Sequence, residues 1–128
     1  MEIVKRAISA FDSRDIESLA PLMTDDHEWF GALRASVEGG SYRGRQGMER
    51  YFADAAGTWA SFSSVIDEFH DLGDRVLSLG RLEGRGKASG IAVDSPFAMI
   101  SELRDGKISR TLAYLDQSEA IKAAGLEE

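Results

Sequence analysis

The feature that most constrains this chain is a change in the spacing of its apolar residues near Trp59. Before that point they recur at helical spacing, as in the series Met48, Tyr51, Phe52, Ala55, Ala56 and Trp59. After it the period is two, which predicts extended segments at about 62–72, 75–86, 89–103 and 107–115. Helices followed by an antiparallel meander predict an α+β fold with the helices on one face of one curved sheet.

The first half of the chain predicts three helices and one short strand. A helical stripe runs from Ile3 to Phe11, and Asp15 is a good N-cap for a second helix that Pro21 should kink or shorten. Residues 27–30 are a short strand candidate, and a glycine-rich loop at 38–47 leads into the third helix. At the other end of the chain, a further short helix is predicted between Asp116 and Gly125.

The four extended segments are longer than the ~5–6 residues of an ordinary strand, so they must bend. The glycines at 80, 84, 86 and 90 are expected at bulges or bends, and Pro96 at an edge or a bulge. Gly73-Asp74 and Asp105-Gly106 are hairpin signals. A curved sheet covered by helices encloses a pocket, and we expect aromatic and apolar side chains to bind a ligand there: Trp29, Tyr42, Tyr51, Phe52, Trp59, Phe62, Phe97 and Met99.

Composition narrows the possible functions. The 128 residues fit one domain, taken as 1–128, and a net charge of −7 argues against nucleic acid as a partner. With no cysteine, the chain has no disulfide, thiol nucleophile or iron–sulfur cluster, and its two separated histidines make a weak metal site. No apolar stretch suits a membrane span or a secretion signal, so we expect a cytoplasmic protein that needs no cofactor.

Four stretches in the order of the chain carry a resemblance to a known family. They are residues 10–16, 40–47 and 72–81, and residues 103–108 followed by Tyr114 and Asp116. Together they resemble the SnoaL-like polyketide cyclase and ketosteroid isomerase superfamily, which has the nuclear transport factor 2-like (NTF2-like), cystatin-like fold. The resemblance implies a cone-shaped curved antiparallel sheet wrapped around N-terminal helices, with an internal cavity, and a homodimer packed through the outer face of the sheet. It implies no single reaction.

The catalytic groups of two branches of that superfamily are incomplete here. By alignment, the aspartate base, the oxyanion tyrosine and the protonated aspartate of ketosteroid isomerases fall on Gly31, Ala7 and near Ser101. The Arg-x-Asp pair of limonene epoxide hydrolases resembles Arg81-Leu82-Glu83, but their last-strand aspartate falls near Ala113. Polyketide cyclases use a single acid/base carboxylate in the cavity, and Glu83 is the candidate for that role in this chain.

Arg81 and Glu83 are therefore the predicted catalytic pair. They are two residues apart on a strand and share a face with Leu77 and Leu79, which suggests the cavity side of the sheet. A partly buried carboxylate beside an arginine can act as a base. The alternative is an ordinary exposed ion pair.

The other polar candidates each have a structural alternative. Trp29 would orient a ligand through its indole N–H, or else is a core aromatic. Tyr42 would hydrogen-bond a ligand at the cavity mouth, or else pins the loop onto the third helix. His27 could shuttle a proton, but the acidic run around it favours a solvated loop end, and His70 is expected to be exposed.

Two functional hypotheses remain open. One is a cofactor-independent isomerase, cyclase, lyase or hydrolase acting on a small hydrophobic molecule, with Glu83 as acid/base and Arg81 as its partner. The other is a non-catalytic small-ligand-binding or dimeric interaction module. The predicted homodimer face consists of small or apolar residues that alternate with the inward set: Val76, Ser78, Gly80 and Leu82.

Overall fold

The computed structural model describes residues 2–31, 42–88 and 90–125, and the side chains within those ranges except at 55–62 and 93. The helices are α1 (Glu2–Asp12), α2 (Ile16–Leu19) with a 3₁₀ turn (Ala20–Leu22), α3 (Gly44–Thr58) and α4 (Gln117–Ala123). The strands are β1 (Met23–Phe30), β2 (Tyr42–Arg43), β3 (Trp59–Asp71), β4 (Arg75–Gly86), β5 (Ala92–Arg104) and β6 (Lys107–Tyr114). The α+β prediction is confirmed, although β1 begins four residues early and Trp59 opens β3 instead of closing α3.

The six strands form one curved sheet in the order β2-β1-β6-β5-β4-β3. β3 to β6 make the predicted antiparallel meander, but β1 lies parallel to β6, with Trp29 opposite Thr111. The sheet is therefore mixed, where a fully antiparallel one was predicted. The long connection from β1 to β6, through α3 and four strands, allows the parallel pairing.

Local side-chain contacts explain where the helices begin and end. The Asp15 carboxylate accepts a hydrogen bond from the backbone N–H of Ser18 at the start of α2, and Pro21 lies where α2 gives way to the 3₁₀ turn. The Asp116 carboxylate accepts hydrogen bonds from the N–H groups of Ser118 and Glu119 at the start of α4. Both predicted caps are confirmed.

The sheet bends where β3 and β4 come unusually close. The pairing register shifts between Ile66 and Glu68, opposite Gly80 and Leu79. A Cβ atom on Gly80 would lie only 1.9 Å from the carbonyl oxygen of Val65. Only glycine fits this position, so the predicted bend at Gly80 is confirmed.

The predicted hairpin turn and the predicted place of Pro96 at a strand edge are also found in the structure. Asp105 and Gly106 turn the β5–β6 hairpin with φ values of 54° and 78°, as the predicted tight turn requires. Pro96 pairs only with Arg81 of β4, because the pairing of β5 with β6 begins at Ala98. Pro96 is therefore at a local edge, where its missing N–H costs no hydrogen bond.

The two faces of the sheet carry separate apolar clusters. On the inner face α1 and α3 pack over strand residues that include Val76, Leu82 and Met99. On the outer face α4 covers Leu77 and Ile100. Pairing across β4, β5 and β6 keeps residues of each set together along the sheet.

This arrangement reverses the predicted faces of β4. Val76, Ser78, Gly80 and Leu82 are on the inner face, so they do not form an outward dimer surface. Leu77, Leu79, Arg81 and Glu83 are on the outer face. Both faces of β4 are apolar because a helix packs against each of them. The alternation of residues along β4 therefore does not tell which of its faces borders the cavity.

No helix in the described ranges is long and apolar enough to cross a membrane.

The Gly80 contact gives a stability prediction. Gly80→Ala should lower the free energy of unfolding by about 3 kcal/mol or more, because the added methyl meets backbone that cannot move aside. Urea denaturation measures the change. Ser78→Ala is the control: Ser78 lies on the same strand and face and is fully buried, and its hydroxyl has no hydrogen-bond partner among the described residues. That substitution should change stability by less than about 0.5 kcal/mol, and equal losses in both variants would contradict the role assigned to Gly80.

Candidate functional site

A small cavity lies between α1 and the inner face of the sheet. Its volume is about 30 Å³, which is room for about two water molecules. Apolar side chains of α1 and α2 border one side, and Met23, Met48 and Met99 border it from β1, α3 and β5. The polar residues at its wall are His27, Trp29, Ser101 and Thr111.

His27 borders the cavity, although the sequence interpretation favoured a solvent-exposed position for it. It is 2% exposed, in the middle of β1, and borders the cavity. The expectation of a solvated loop end failed because β1 begins at Met23, so the acidic residues before His27 belong to the strand. The alternation of His27 and Trp29 with Glu28 between them was the available signal, since it places both rings on one face.

One nitrogen of the buried imidazole has a partner and the other does not. His27 Nε2 lies 2.9 Å from Thr111 Oγ1, and the two share a hydrogen bond. His27 Nδ1 is buried with no hydrogen-bond partner in the described part of the chain. Burial lowers the pKa of His27 to about 4, which the nearby charges of Glu28 and Asp26 oppose only in part. The ring is therefore neutral at pH 7.

Trp29 borders the cavity two residues further along β1. It is 3% exposed, and its ring centroid lies 4.8 Å from that of Phe11 and 5.3 Å from that of Tyr51. Its indole Nε1 is buried without a hydrogen bond of standard geometry, although a contact from Trp29 opposes the effect of burial on the pKa of the Tyr51 hydroxyl. Trp29 therefore borders the cavity as predicted, and its role in ligand binding stays a prediction.

The other predicted ligand residues mostly pack around the cavity. Tyr42 donates a hydrogen bond from its hydroxyl to Asp54 Oδ2 at 2.8 Å, and its ring meets the Tyr51 ring edge-on at 5.2 Å. Burial raises the pKa of Tyr51 to about 12. Phe52 packs against Phe11 at 5.6 Å between ring centroids. These contacts match the structural alternative given for Tyr42, in which it pins the loop onto α3.

The four remaining members of the predicted ligand-binding set have mixed outcomes. Met99 borders the cavity, whereas Phe97 is buried in the inner cluster without bordering it. The side chains of Trp59 and Phe62 lie outside the described residues.

The predicted catalytic pair is not at the cavity. The side chains of Arg81 and Glu83 are 48% and 43% exposed on the outer face, joined at 2.8 Å between Arg81 Nη2 and Glu83 Oε2. Asp94 lies 3.4 Å from Arg81 Nε on the neighbouring strand. The placement in the cavity was wrong because the faces of β4 were inverted. The pair has the geometry of the alternative, an exposed ion pair, and its catalytic role gains no support.

The positions that align with functional groups of ketosteroid isomerases and limonene epoxide hydrolases lie near the cavity. Ala7 and Ser101 border it, Ala113 is buried in the same cluster, and a Cβ on Gly31 would lie 3.4 Å from Trp29 Nε1. No described residue bordering the cavity is acidic. In the described ranges no three histidine, aspartate or glutamate side chains converge as metal ligands.

Comparison with known proteins is consistent with this architecture. A family model described as a SnoaL-like domain matches residues 4–111. No curated protein matches the chain. Among solved structures, an NTF2-like protein of unknown function from Burkholderia pseudomallei has 21% identity and a TM-score of 0.81, over 95% of this chain and 94% of that one.

Two other solved structures extend the comparison. TerC, co-crystallised with polyporic acid, has 25% identity and a TM-score of 0.79 over 94% of each chain. IdmH from Streptomyces antibioticus, described as a candidate polyketide cyclase, has 18% identity and a TM-score of 0.75, over 97% of this chain and 96% of that one.

The buried imidazole gives a pH prediction. The folded pKa of His27, about 4, is below the ordinary value of 6.5, so the unfolded chain takes up a proton first as the pH falls. The stability present above pH 6.5 should therefore fall between pH 6.5 and 4. The His27 contribution lost between about pH 7.5 and about pH 5 is about 2 kcal/mol.

Urea denaturation of the wild type and His27→Gln at both pH values measures this loss. The carboxylates titrate alike in both proteins, so the wild type should lose more stability than the variant by that amount. His70→Gln, at the exposed histidine, should behave like the wild type. Equal pH dependence in the wild type and His27→Gln would contradict a buried neutral His27.

Proposed function

The chain belongs to the SnoaL-like domain family, and from that premise we propose that it binds a small, largely apolar molecule in the cavity beneath α1. The observation that carries this proposal is a cavity with an almost wholly apolar wall, enclosed between α1, α3 and the inner face of the sheet. An apolar molecule that enters it leaves water for apolar surroundings, which is favourable by about 25 cal/mol per Å² of apolar surface buried.

The cavity must widen to admit a ring-sized molecule. Its volume of about 30 Å³ suits two waters, not a six-membered ring. Met23, Met48 and Met99 at the wall make widening feasible, because an unbranched thioether side chain can adopt several conformations at low cost. Binding by displacement of these side chains is therefore part of the proposal.

One relative supports a small-molecule ligand. TerC, at 25% identity, was crystallised with polyporic acid, so a closely similar backbone can accommodate an organic molecule. That compound is not carried over to this chain, since the residues at the wall set the specificity.

Catalysis without a cofactor, as an isomerase, cyclase, lyase or hydrolase, is the second candidate. The observation that favours it is His27, the one titratable side chain among the described residues at the cavity wall. A base whose conjugate acid has a pKa of about 4 abstracts protons poorly at pH 7. His27 is better suited to donating or accepting a hydrogen bond, so binding is the better-supported function.

A homodimer and a cytoplasmic location remain predictions from the resemblance and the sequence. The outer face retains partly exposed apolar residues beside α4, among them Leu79, Leu112 and Tyr114. A second copy could pack there. Sedimentation at micromolar concentration would show twice the chain mass of 14.0 kDa if it does.

Methionine methyl groups give a direct test of binding. The chain has four methionines, and Met23, Met48 and Met99 border the cavity. In protein labelled with [¹³C-methyl]methionine, toluene should shift these three NMR signals together, with a dissociation constant between about 0.1 and 10 mM. Glu83→Gln, on the outer face, should bind toluene as the wild type does. No shift of the three signals with toluene near its solubility limit would overturn the proposal.

A further inference from the structure

We infer that Phe11 closes the cavity toward solvent and holds the place that a flat ring of the ligand takes when the ligand enters. This inference rests on the proposed function and adds two things to it, the route of entry and the shape of the ligand. It gives Phe11, which the sequence pattern places only in the apolar stripe of α1, a role in selecting the ligand.

The exposure of the residues at the cavity wall indicates where a ligand enters. All the described residues that border the cavity are buried except Ile8 and Phe11, which are partly exposed. These two lie three residues apart on α1, so their side chains are neighbours on the helix surface. A side chain that borders both the cavity and solvent is the barrier that an entering molecule must displace.

Three other aromatic rings hold the Phe11 ring. Its centroid lies 4.8 Å from that of Trp29, 5.5 Å from that of Tyr51 and 5.6 Å from that of Phe52. These distances, with interplanar angles between 31° and 65°, are ordinary for paired aromatic side chains. The three surrounding rings therefore form a site for one flat aromatic ring, and Phe11 occupies that site.

The three surrounding rings have contacts that do not involve Phe11. Trp29 belongs to β1, whereas Tyr51 and Phe52 belong to α3. The centroid of the Tyr51 ring lies 5.3 Å from that of Trp29 and 6.2 Å from that of Phe52. Because Tyr51 joins the other two rings directly, the site keeps its shape when the Phe11 ring turns outward. A ligand ring in its place then contacts the same faces and edges.

Displacement of Phe11 adds the volume that a ring needs. The cavity of about 30 Å³ is too small for a six-membered ring, whereas an apolar cavity of about 150 Å³ binds benzene. Because Phe11 borders the cavity, moving its ring joins the space it fills to the cavity. The ligand then has a flat ring beside Tyr51 and Phe52 and an apolar part beside the methionines.

The contacts of bound toluene test where its ring lies. Tyr51 and Phe52 are outside the set of residues that border the cavity, so toluene reaches them only if it takes the place of Phe11. In the full chain with ¹³C-labelled tyrosine rings, toluene should give nuclear Overhauser effects to Tyr51, whose signal is identified by its loss in Tyr51→Phe. Tyr114, which packs in the outer cluster, should give none.

Two truncations on α1 test the barrier, with the methionine signals as the measure of toluene binding. Phe11→Ala removes the ring that must otherwise be displaced, so toluene should bind at least about tenfold more tightly than it binds the wild type. Ile8→Ala is the matched control, because it removes apolar bulk at the same border and leaves the Phe11 ring in place. It should change the dissociation constant by less than about threefold.

The shape of the ligand is tested in Phe11→Ala with benzene and cyclohexane. Cyclohexane is the more hydrophobic of the two, so burial of apolar surface alone would favour it. Benzene should nevertheless bind more tightly, because only a flat aromatic ring can pair with the three surrounding rings.

Each outcome decides the inference. If toluene moves the three methionine signals but gives no contact to Tyr51 in the wild type, the inference is wrong and the proposed function stands. Equal gains in Phe11→Ala and Ile8→Ala, or tighter binding of cyclohexane than of benzene, would also overturn it. If Phe11→Ala does not fold, the Tyr51 contact in the wild type decides alone. If toluene moves no methionine signal, the proposed function fails, and the inference fails with it.

Discussion

The close contact between β3 and β4 at Gly80 is the constraint on which the rest of the structure depends. The backbone of Val65 fills the space that any side chain at position 80 would need, and the pairing register shifts beside it. A register shift of this kind bends the strand that carries it and increases its twist. The inner face of this bent sheet is the one that α1 and α3 cover.

Most of the fold could be predicted from the sequence because the local signals for helices, caps and turns were consistent with one another. The helical stripe of α1, the caps at Asp15 and Asp116 and the turn at Asp105-Gly106 each depend on neighbours within a few residues. The parallel pairing of β1 with β6 did not follow, because it joins residues more than eighty positions apart and leaves no local pattern.

The site was harder to predict for a different reason. β4 is apolar on both faces, since α4 covers one and α1 the other, so its alternation was compatible with either assignment. Because the wrong face was chosen, Arg81 and Glu83 were predicted to line the cavity. In the structure they are half-exposed on the outer face of the sheet. His27 was missed because the acidic residues before it suggested solvent, although they are the two exposed residues of a strand in which Met23, His27 and Trp29 are buried.

The cavity is bordered mainly by apolar side chains, and none of the described residues at its wall is acidic. Ala7 and Ser101 stand at the positions that align with the oxyanion tyrosine and the protonated aspartate of ketosteroid isomerases. The only titratable side chain among the described residues at the wall is His27, which is neutral at pH 7.

Three sulphur atoms in that wall have a consequence for the behaviour of the protein under oxidants. Met23, Met48 and Met99 are each at most 6% exposed, so a peroxide reaches them only while the fold is open. Conversion to the sulfoxide would then place a strong dipole in an apolar wall and hinder reclosure. The rate at which these side chains oxidise therefore reports how often the cavity opens, and peptide mass spectrometry can follow it without a ligand.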